Sequence, residues 1–244
     1  MPRQARKQSV SGYYHVIVRG IGKQVLFENP GDYLYYISKL KDYSDEAKIH
    51  INAYCLMENH VHILLRDRRD MLSGFMKKLG VCYAGYFNKK YERSGHLFQD
   101  RFTSESVDDE SYLLAVFRYI LNNPQKAGIS LASEYPWSSY GKYDSPDSFV
   151  DTAFFRKKIG DWKHYTAFMD AENDDHCLEY NSRKDDEWAK WKLSDVLKIE
   201  NGLDLQKYSK DDRNDALRKL KEAGLSIRQI ERLTGIGRGI IQRA

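Results

Sequence analysis

The spacing of apolar and polar positions changes character several times along the chain. Residues 13–18 (YYHVIV) are aromatic and β-branched and run into Arg19-Gly20, a pattern that predicts a strand closed by a turn. Asn29-Pro30-Gly31 opens a helical stretch over 31–48, with Leu34, Ile37 and Leu40 on an approximate apolar stripe. Two strand-like runs follow, 49–57 and 60–65, and the Glu58-Asn59 connection between them suits a hairpin. A second helical region covers about 70–90, and 96–107 predicts one more strand. The predicted order is βαββαβ, a ferredoxin-like or RRM-like α+β fold with an antiparallel sheet and both helices on one face. Residues 108–123 predict an added helix, acidic at its start and stopped by Pro124, that is available to lie across the other face.

Beyond residue 143 the periodicity weakens and charge rises, with DAENDD at 170–175 and SRKDDE at 182–187. It returns near the end as DDRNDALRKLKEAGL, SIRQIERLT and GRGIIQRA. Ser226 is placed to cap the middle piece, and Ile227, Ile230 and Leu233 give it one apolar face. This resembles a helix-turn-helix DNA-binding unit, although Glu231 stands where a small residue is usual and Gly237 and Gly239 weaken the last helix. A small helical bundle that merely packs gives the same pattern. The expected organisation is a catalytic domain over 1–150, an acidic linker or extension over 151–212, and a helix-turn-helix-like DNA-binding region over 213–244.

Charge follows the same division. The net +4 of the 244-residue chain resolves into +3 over 1–150, −4 over 151–212 and +5 over 213–244, so an acidic middle separates two basic ends. No window approaches the roughly 18 apolar residues of a membrane span, which predicts a soluble, cytoplasmic protein with no membrane partner. The three cysteines, Cys55, Cys82 and Cys177, lie far apart with no paired spacing, which predicts reduced thiols and no zinc ribbon.

The chemistry concentrates in two places. In a strand, His60 and His62 share one face while Val61, Ile63 and Leu65 share the other, so two imidazoles can approach one divalent cation. Tyr119 and Asn123 are four residues apart on the later helix, where an Asn123 amide oxygen would complete a mixed nitrogen and oxygen ligand set suited to Mg²⁺ or Mn²⁺. Tyr119 would then sit one turn from the ion as a nucleophile. The plainer alternative keeps Tyr119 as one of 18 tyrosines packing in a core and Asn123-Pro124 as a helix stop. Arg3, Arg6, Lys7, Arg19 and Arg101 are candidate phosphate contacts, as are Arg228, Arg232, Arg238 and Arg243 in the last region. Tyr13, Phe98 and Trp137 can stack bases or fill a core. For His15 a structural role is expected.

Taken in order, ENHVHILL, GHLFQDRF, FRYILNNPQKAG and YPWSSY resemble the REP-associated tyrosine transposases of the HUH single-strand transposase superfamily, over residues 13–143. The resemblance implies that His60 and His62 are metal ligands with Asn123 as the third, and that Tyr119 is the single nucleophile. It implies cleavage and rejoining of single-stranded DNA hairpins, REP-like palindromes, through a 5′-phosphotyrosine with a free 3′-OH. Such enzymes act as homodimers or monomers. Two other readings use the same residues: a single-strand nucleic-acid-binding regulator without catalysis, and an HUH rolling-circle initiator or relaxase. No second tyrosine lies beside Tyr119 on its helical face, since Tyr112 is two turns away.

Overall fold

A computed structural model describes residues 8–172, 177, 186–199 and 201–244. It divides into two compact units, residues 1–180 and 181–244. Arg3, Arg6, Lys7 and much of the charged stretch at 170–187 lie outside the described residues.

In the first unit, β1 (Tyr13–Arg19), α1 (Pro30–Ala47), β2 (His50–Met57), β3 (His60–Arg66), α2 (Leu72–Lys90) and β4 (Thr103–Ser106) follow one another as βαββαβ. The strands form one antiparallel sheet in the order β2-β3-β1-β4, so the fold is α+β as expected. The start of α1 is fixed locally. The Asn29 side chain accepts from Gly31 N, the Asp32 side chain reaches back to Asn29 N, and Pro30 occupies the first turn, where its missing N–H costs nothing. Asp32 also pairs with Lys90 of α2 at 2.6 Å and accepts from Tyr86 and Tyr91, tying the two helices together. After β1 the chain turns back over Ile21–Gln24, and Gly20 is required because a Cβ there would collide with Gln24 O.

Alternation sorts each strand between two cores. Tyr14, Val16 and Val18 of β1 and Val61, Ile63 and Leu65 of β3 meet Tyr36 and Leu40 of α1 and Phe75, Leu79 and Tyr83 of α2. Tyr13 and Leu64 face the other way, toward α3 (Glu110–Leu121), which sends down Leu113, Val116, Phe117 and Ile120. In β2 a bulge at Asn52 shifts the phase. Ile51 pairs with Leu65 and Ala53 with Leu64, so Ile51 joins the α1/α2 core while Ala53 joins the α3 core.

Three expectations need correction. The last strand covers only 103–106: residues 97–99 bond the chain at 19–21, but Asp100 then accepts from Arg101 N and turns the segment away. Pro124 does not stop the helix at 123. Backbone bonds from Asn122 N to Arg118 O and from Lys126 N to Asn122 O carry the chain through a break at Asn122 into a short α4 (Asn123–Lys126), with Pro124 in its first turn. Nor does the packed unit end near residue 150. In α5 (Ala153–Ile159) and α6 (Trp162–Asp170), Phe155, Tyr165 and Met169 are buried, and Phe155 stacks on Phe117 with ring centroids 4.0 Å apart.

The second unit is helical and has its own core. It contains α7 (Asp186–Leu197), a 3-10 turn (Gly202–Lys207), α8 (Lys210–Glu222), α9 (Ile227–Thr234) and α10 (Arg238–Arg243). Ala189, Leu193 and Leu205 are buried with Leu217, Leu220, Leu225, Ile230, Ile236 and Ile241, so residues 186–207 form part of this core rather than a linker. Ser226 caps α9 through a capping box with Gln229, and Gly235 ends it in the left-handed region at φ 68°. Gly239 is accommodated within α10, and half-buried Glu231 pairs with Arg238.

Candidate active site

Beneath α3 the sheet presents polar side chains. The register places His62 opposite Ile17, His60 opposite Arg19 and His15 opposite Leu64, so alternation brings His15, Arg19, His60 and His62 to one face. Above them stands Tyr119, which Asp109 helps to position by capping α3 at Tyr112 N. The break at Asn122 then turns Asn123 and Lys126 toward the same place. Asn122 is itself anchored, donating its side-chain N–H to Met169 O at 2.9 Å. The result is an open cleft of about 350 Å³ lined by Arg19, His60, His62, Tyr119, Asn123, Lys126 and Ala127.

The side chains inside the cleft approach one another closely. His62 lies with its ring centroid 5.8 Å from that of Tyr119 and 5.0 Å from that of His60. His60 Nδ1 is 2.7 Å from Asn59 Oδ1, and the Asn123 side chain also hydrogen-bonds His60. Lys126 Nζ sits 5.0 Å from the centre of the Tyr119 ring, a cation-π distance. Burial pushes the His60 imidazole down to about 4, with the Arg19 guanidinium acting in the same direction and Asn123 against it. Burial also holds His62 well below the ordinary value, helped by His15, His60 and Arg19. Both imidazoles are therefore neutral at physiological pH, the form in which histidine binds a metal.

The donor types suit a divalent cation. Among the described residues no group of three His, Cys, Asp or Glu side chains is placed to hold a metal, and the Asn123 amide lies in the cleft with His60 and His62. Two imidazoles and an amide oxygen leave positions for phosphate oxygens and water, and they supply no negative charge to repel DNA.

The structure thus brings Tyr119, His60, His62, Asn123 and Arg19 to one cleft. It does not bring Arg101 there. That residue lines a separate, largely apolar cavity of about 720 Å³ between α2 and residues 95–102, together with Phe98 and Phe102. Trp137 stacks on Tyr33 at 4.3 Å, and Tyr13 is buried in the α3 core under the Arg66 guanidinium. The YPWSSY run extends the sheet edge through Leu56 N to Trp137 O, Ser139 N to Tyr54 O and Tyr135 Oη to Leu56 O. Arg228, Arg232 and Arg238 are exposed in the second unit. Sequence reasoning missed Lys126. It follows Tyr119 by seven residues, a helical-face spacing that treating Pro124 as a stop conceals.

Residues 8–123 match the family model described as "Transposase IS200 like". Among solved structures, a REP-associated tyrosine transposase bound to a REP hairpin aligns with a TM-score of 0.55 and 16% identity, covering 75% of this chain and 98% of that one. A protein described as a candidate transposase from Deinococcus radiodurans R1 aligns with a TM-score of 0.34 and 19% identity, covering 45% of this chain and 89% of that one. No curated protein matches.

Proposed function

From the match of residues 8–123 to the IS200-like transposase family model we propose that the protein cleaves and rejoins single-stranded DNA hairpins, with Tyr119 as nucleophile and His60, His62 and Asn123 as ligands of a divalent cation. One observation carries the reading: Tyr119, both histidines and Asn123 line a single cleft although they come from two distant parts of the sequence.

Each side chain has a definable task. Tyr119 Oη attacks the phosphorus, the bond to the 3′ oxygen breaks, and the products are a 5′-phosphotyrosine and a 3′-OH. The phenolic proton leaves through the open cleft, and the departing 3′ oxygen takes up a proton. An unperturbed tyrosine has a pKa of about 10, so its developing phenolate needs positive charge nearby. Lys126 over the ring supplies it. Arg19 at the end of β1 offers a guanidinium to the phosphate oxygens of the bound strand. A bound Mg²⁺ or Mn²⁺ would contribute Lewis-acid polarisation of the phosphate. Because the phosphotyrosine bond keeps the energy of the broken diester, the reverse attack by a 3′-OH rejoins DNA without ATP.

The substrate proposal, a REP-like palindrome, rests on the resemblance of the motifs and on the hairpin bound by the structural neighbour. The second unit, with exposed Arg228, Arg232 and Arg238 on a helix-turn-helix pattern, is proposed to add affinity for DNA without entering the chemistry.

The test uses labelled single-stranded hairpins with and without Mg²⁺ or Mn²⁺. The wild-type protein is expected to give a denaturant-resistant protein-DNA adduct that EDTA prevents. Tyr119→Phe removes one hydroxyl, so it should abolish the adduct while leaving hairpin affinity within about twofold. Adduct formation by that variant would remove Tyr119 from the mechanism, and hairpin binding with no cleavage by the wild type would favour a non-catalytic binding protein.

A further inference from the structure

A buried pair of histidines reaches beyond the ligand set. His15, at the centre of β1, has no solvent exposure, and its Nε2 is 3.0 Å from Nδ1 of His62. The two rings lie 5.2 Å apart at 27°, and the His15 ring also meets Tyr119 edge-on at 6.1 Å. His15 Nδ1 is buried with no hydrogen-bond partner among the described residues. A histidine placed only to fill a core would not need a 3.0 Å nitrogen-nitrogen approach to a candidate ligand.

We propose that His15 is a positioning residue for His62: it accepts the His62 Nδ1 proton at its own Nε2 and so leaves the His62 Nε2 lone pair as the one that binds the cation. This rests on the assignment of His62 as a ligand. The proton count allows a single arrangement once a cation is bound. A hydrogen bond between two neutral imidazoles needs one donor and one acceptor. If His62 coordinates through Nε2, its proton is on Nδ1, His15 Nε2 must be the acceptor, and the His15 proton is on Nδ1. That proton then sits on the atom without a partner. The opposite arrangement, with His15 donating, would put a proton on His62 Nε2 and block it as a ligand. Asn59 holds the neighbouring histidine by the same atom, since His60 Nδ1 lies 2.7 Å from Asn59 Oδ1. Both ring orientations are thus set from behind, the arrangement by which outer partners of metal-binding histidines raise affinity.

The experiment measures Mn²⁺ affinity of the full-length, DNA-free protein by electron paramagnetic resonance, for wild type, His15→Phe, His15→Gln and His62→Ala. Phe keeps a planar aromatic ring and loses the acceptor, so Mn²⁺ affinity should fall about 10- to 100-fold. Gln can place an amide oxygen where Nε2 was, and it should recover affinity to within a few-fold of wild type. Long-range ¹H–¹⁵N spectra of the Mg²⁺-saturated wild-type protein should show the His62 proton on Nδ1, a signature that mere packing would not produce. Melting temperature in EDTA reports whether His15→Phe is folded, and the Gln variant and the spectra test the proposal if it is not. Unchanged affinity in a folded His15→Phe protein, or a His62 proton on Nε2, would overturn the role of His15 alone. Wild-type and His62→Ala proteins binding Mn²⁺ equally, or neither binding it, would overturn the ligand assignment and the positioning role together.

Discussion

On the face of the sheet under α1 and α2, β1 and β3 present Val16, Val18, Val61, Ile63 and Leu65, all buried against aromatic and aliphatic side chains. On the face under α3, the same two strands present His15, Arg19, His60 and His62 beside Ile17 and Leu64. The strands are shared, so the contrast is between alternate residues of the same backbone. The first face gains free energy from apolar area removed from water. The second buries imidazoles and amides that must find partners, and His15 Nδ1 has none among the described residues. A buried unsatisfied polar group costs about 1–3 kcal/mol. The α3 face therefore gives up stability where the candidate chemistry is, and the α1/α2 face together with Phe117, Phe155 and Tyr165 supplies it.

Substitutions on opposite faces of one strand are the strongest way to break this contrast. His60→Ala should lower cation-dependent cleavage by at least about 100-fold, since it removes one of three protein ligands. On the same strand, Ile63→Ala should do the reverse, lowering stability by about 2–5 kcal/mol in urea titrations while leaving cleavage per folded molecule nearly unchanged. If His60→Ala unfolds the protein or Ile63→Ala selectively abolishes cleavage, the two faces are not divided as described.

Acid should act through the α3 face. Burial lowers His15 to about 3 and His60 to about 4, both below the ordinary 6.5. Between those values the unfolded chain binds protons that the folded chain refuses, so stability is fully present above about pH 6.5 and declines as pH falls toward the folded values. Melting temperature should decline from about pH 6.5 to about pH 4.5, and less steeply in His60→Gln, which cannot titrate. Parallel curves for the two proteins would count against this origin.

The smallest effect belongs to the second unit. Replacing exposed Arg228 and Arg232 by Ala should flatten the log-log salt dependence of duplex DNA binding by ~0.9 for each phosphate the protein ceases to neutralise. Identical slopes for wild type and the double variant would mean that this face of the unit does not meet DNA.

The βαββαβ order was legible because strand and helix periodicities differ so clearly over residues 13–90, and the shared face of His60 and His62 follows from alternation alone. Cross-strand partners are another matter. His15 read as structural because a lone histidine in a strand carries no sign of what lies beside it, and its approach to His62 depends on the sheet placing β1 next to β3. Lys126 was hidden by reading Pro124 as an end, whereas the first turn of a new helical segment tolerates a missing N–H. The stretch after residue 150 reads as a linker because its helices are short and the sequence over 151–212 carries a net −4. Its aromatic positions, Phe155 and Tyr165 among them, carry the packing.

The bulge at Asn52 also changes how this gene should tolerate small deletions. Losing one codon from a strand ordinarily turns every residue on one side of the lesion to the wrong face. Here Ile51 pairs with Leu65 and Ala53 with Leu64, which are adjacent in β3, so Asn52 is the residue the ladder already passes over. Removing it would leave a regular strand with Ile51 and Ala53 each still facing its own core. What would disappear is the bond from Asn52 Nδ2 to Asp151 O, and with it part of the tether that holds the chain after Val150 against the sheet edge.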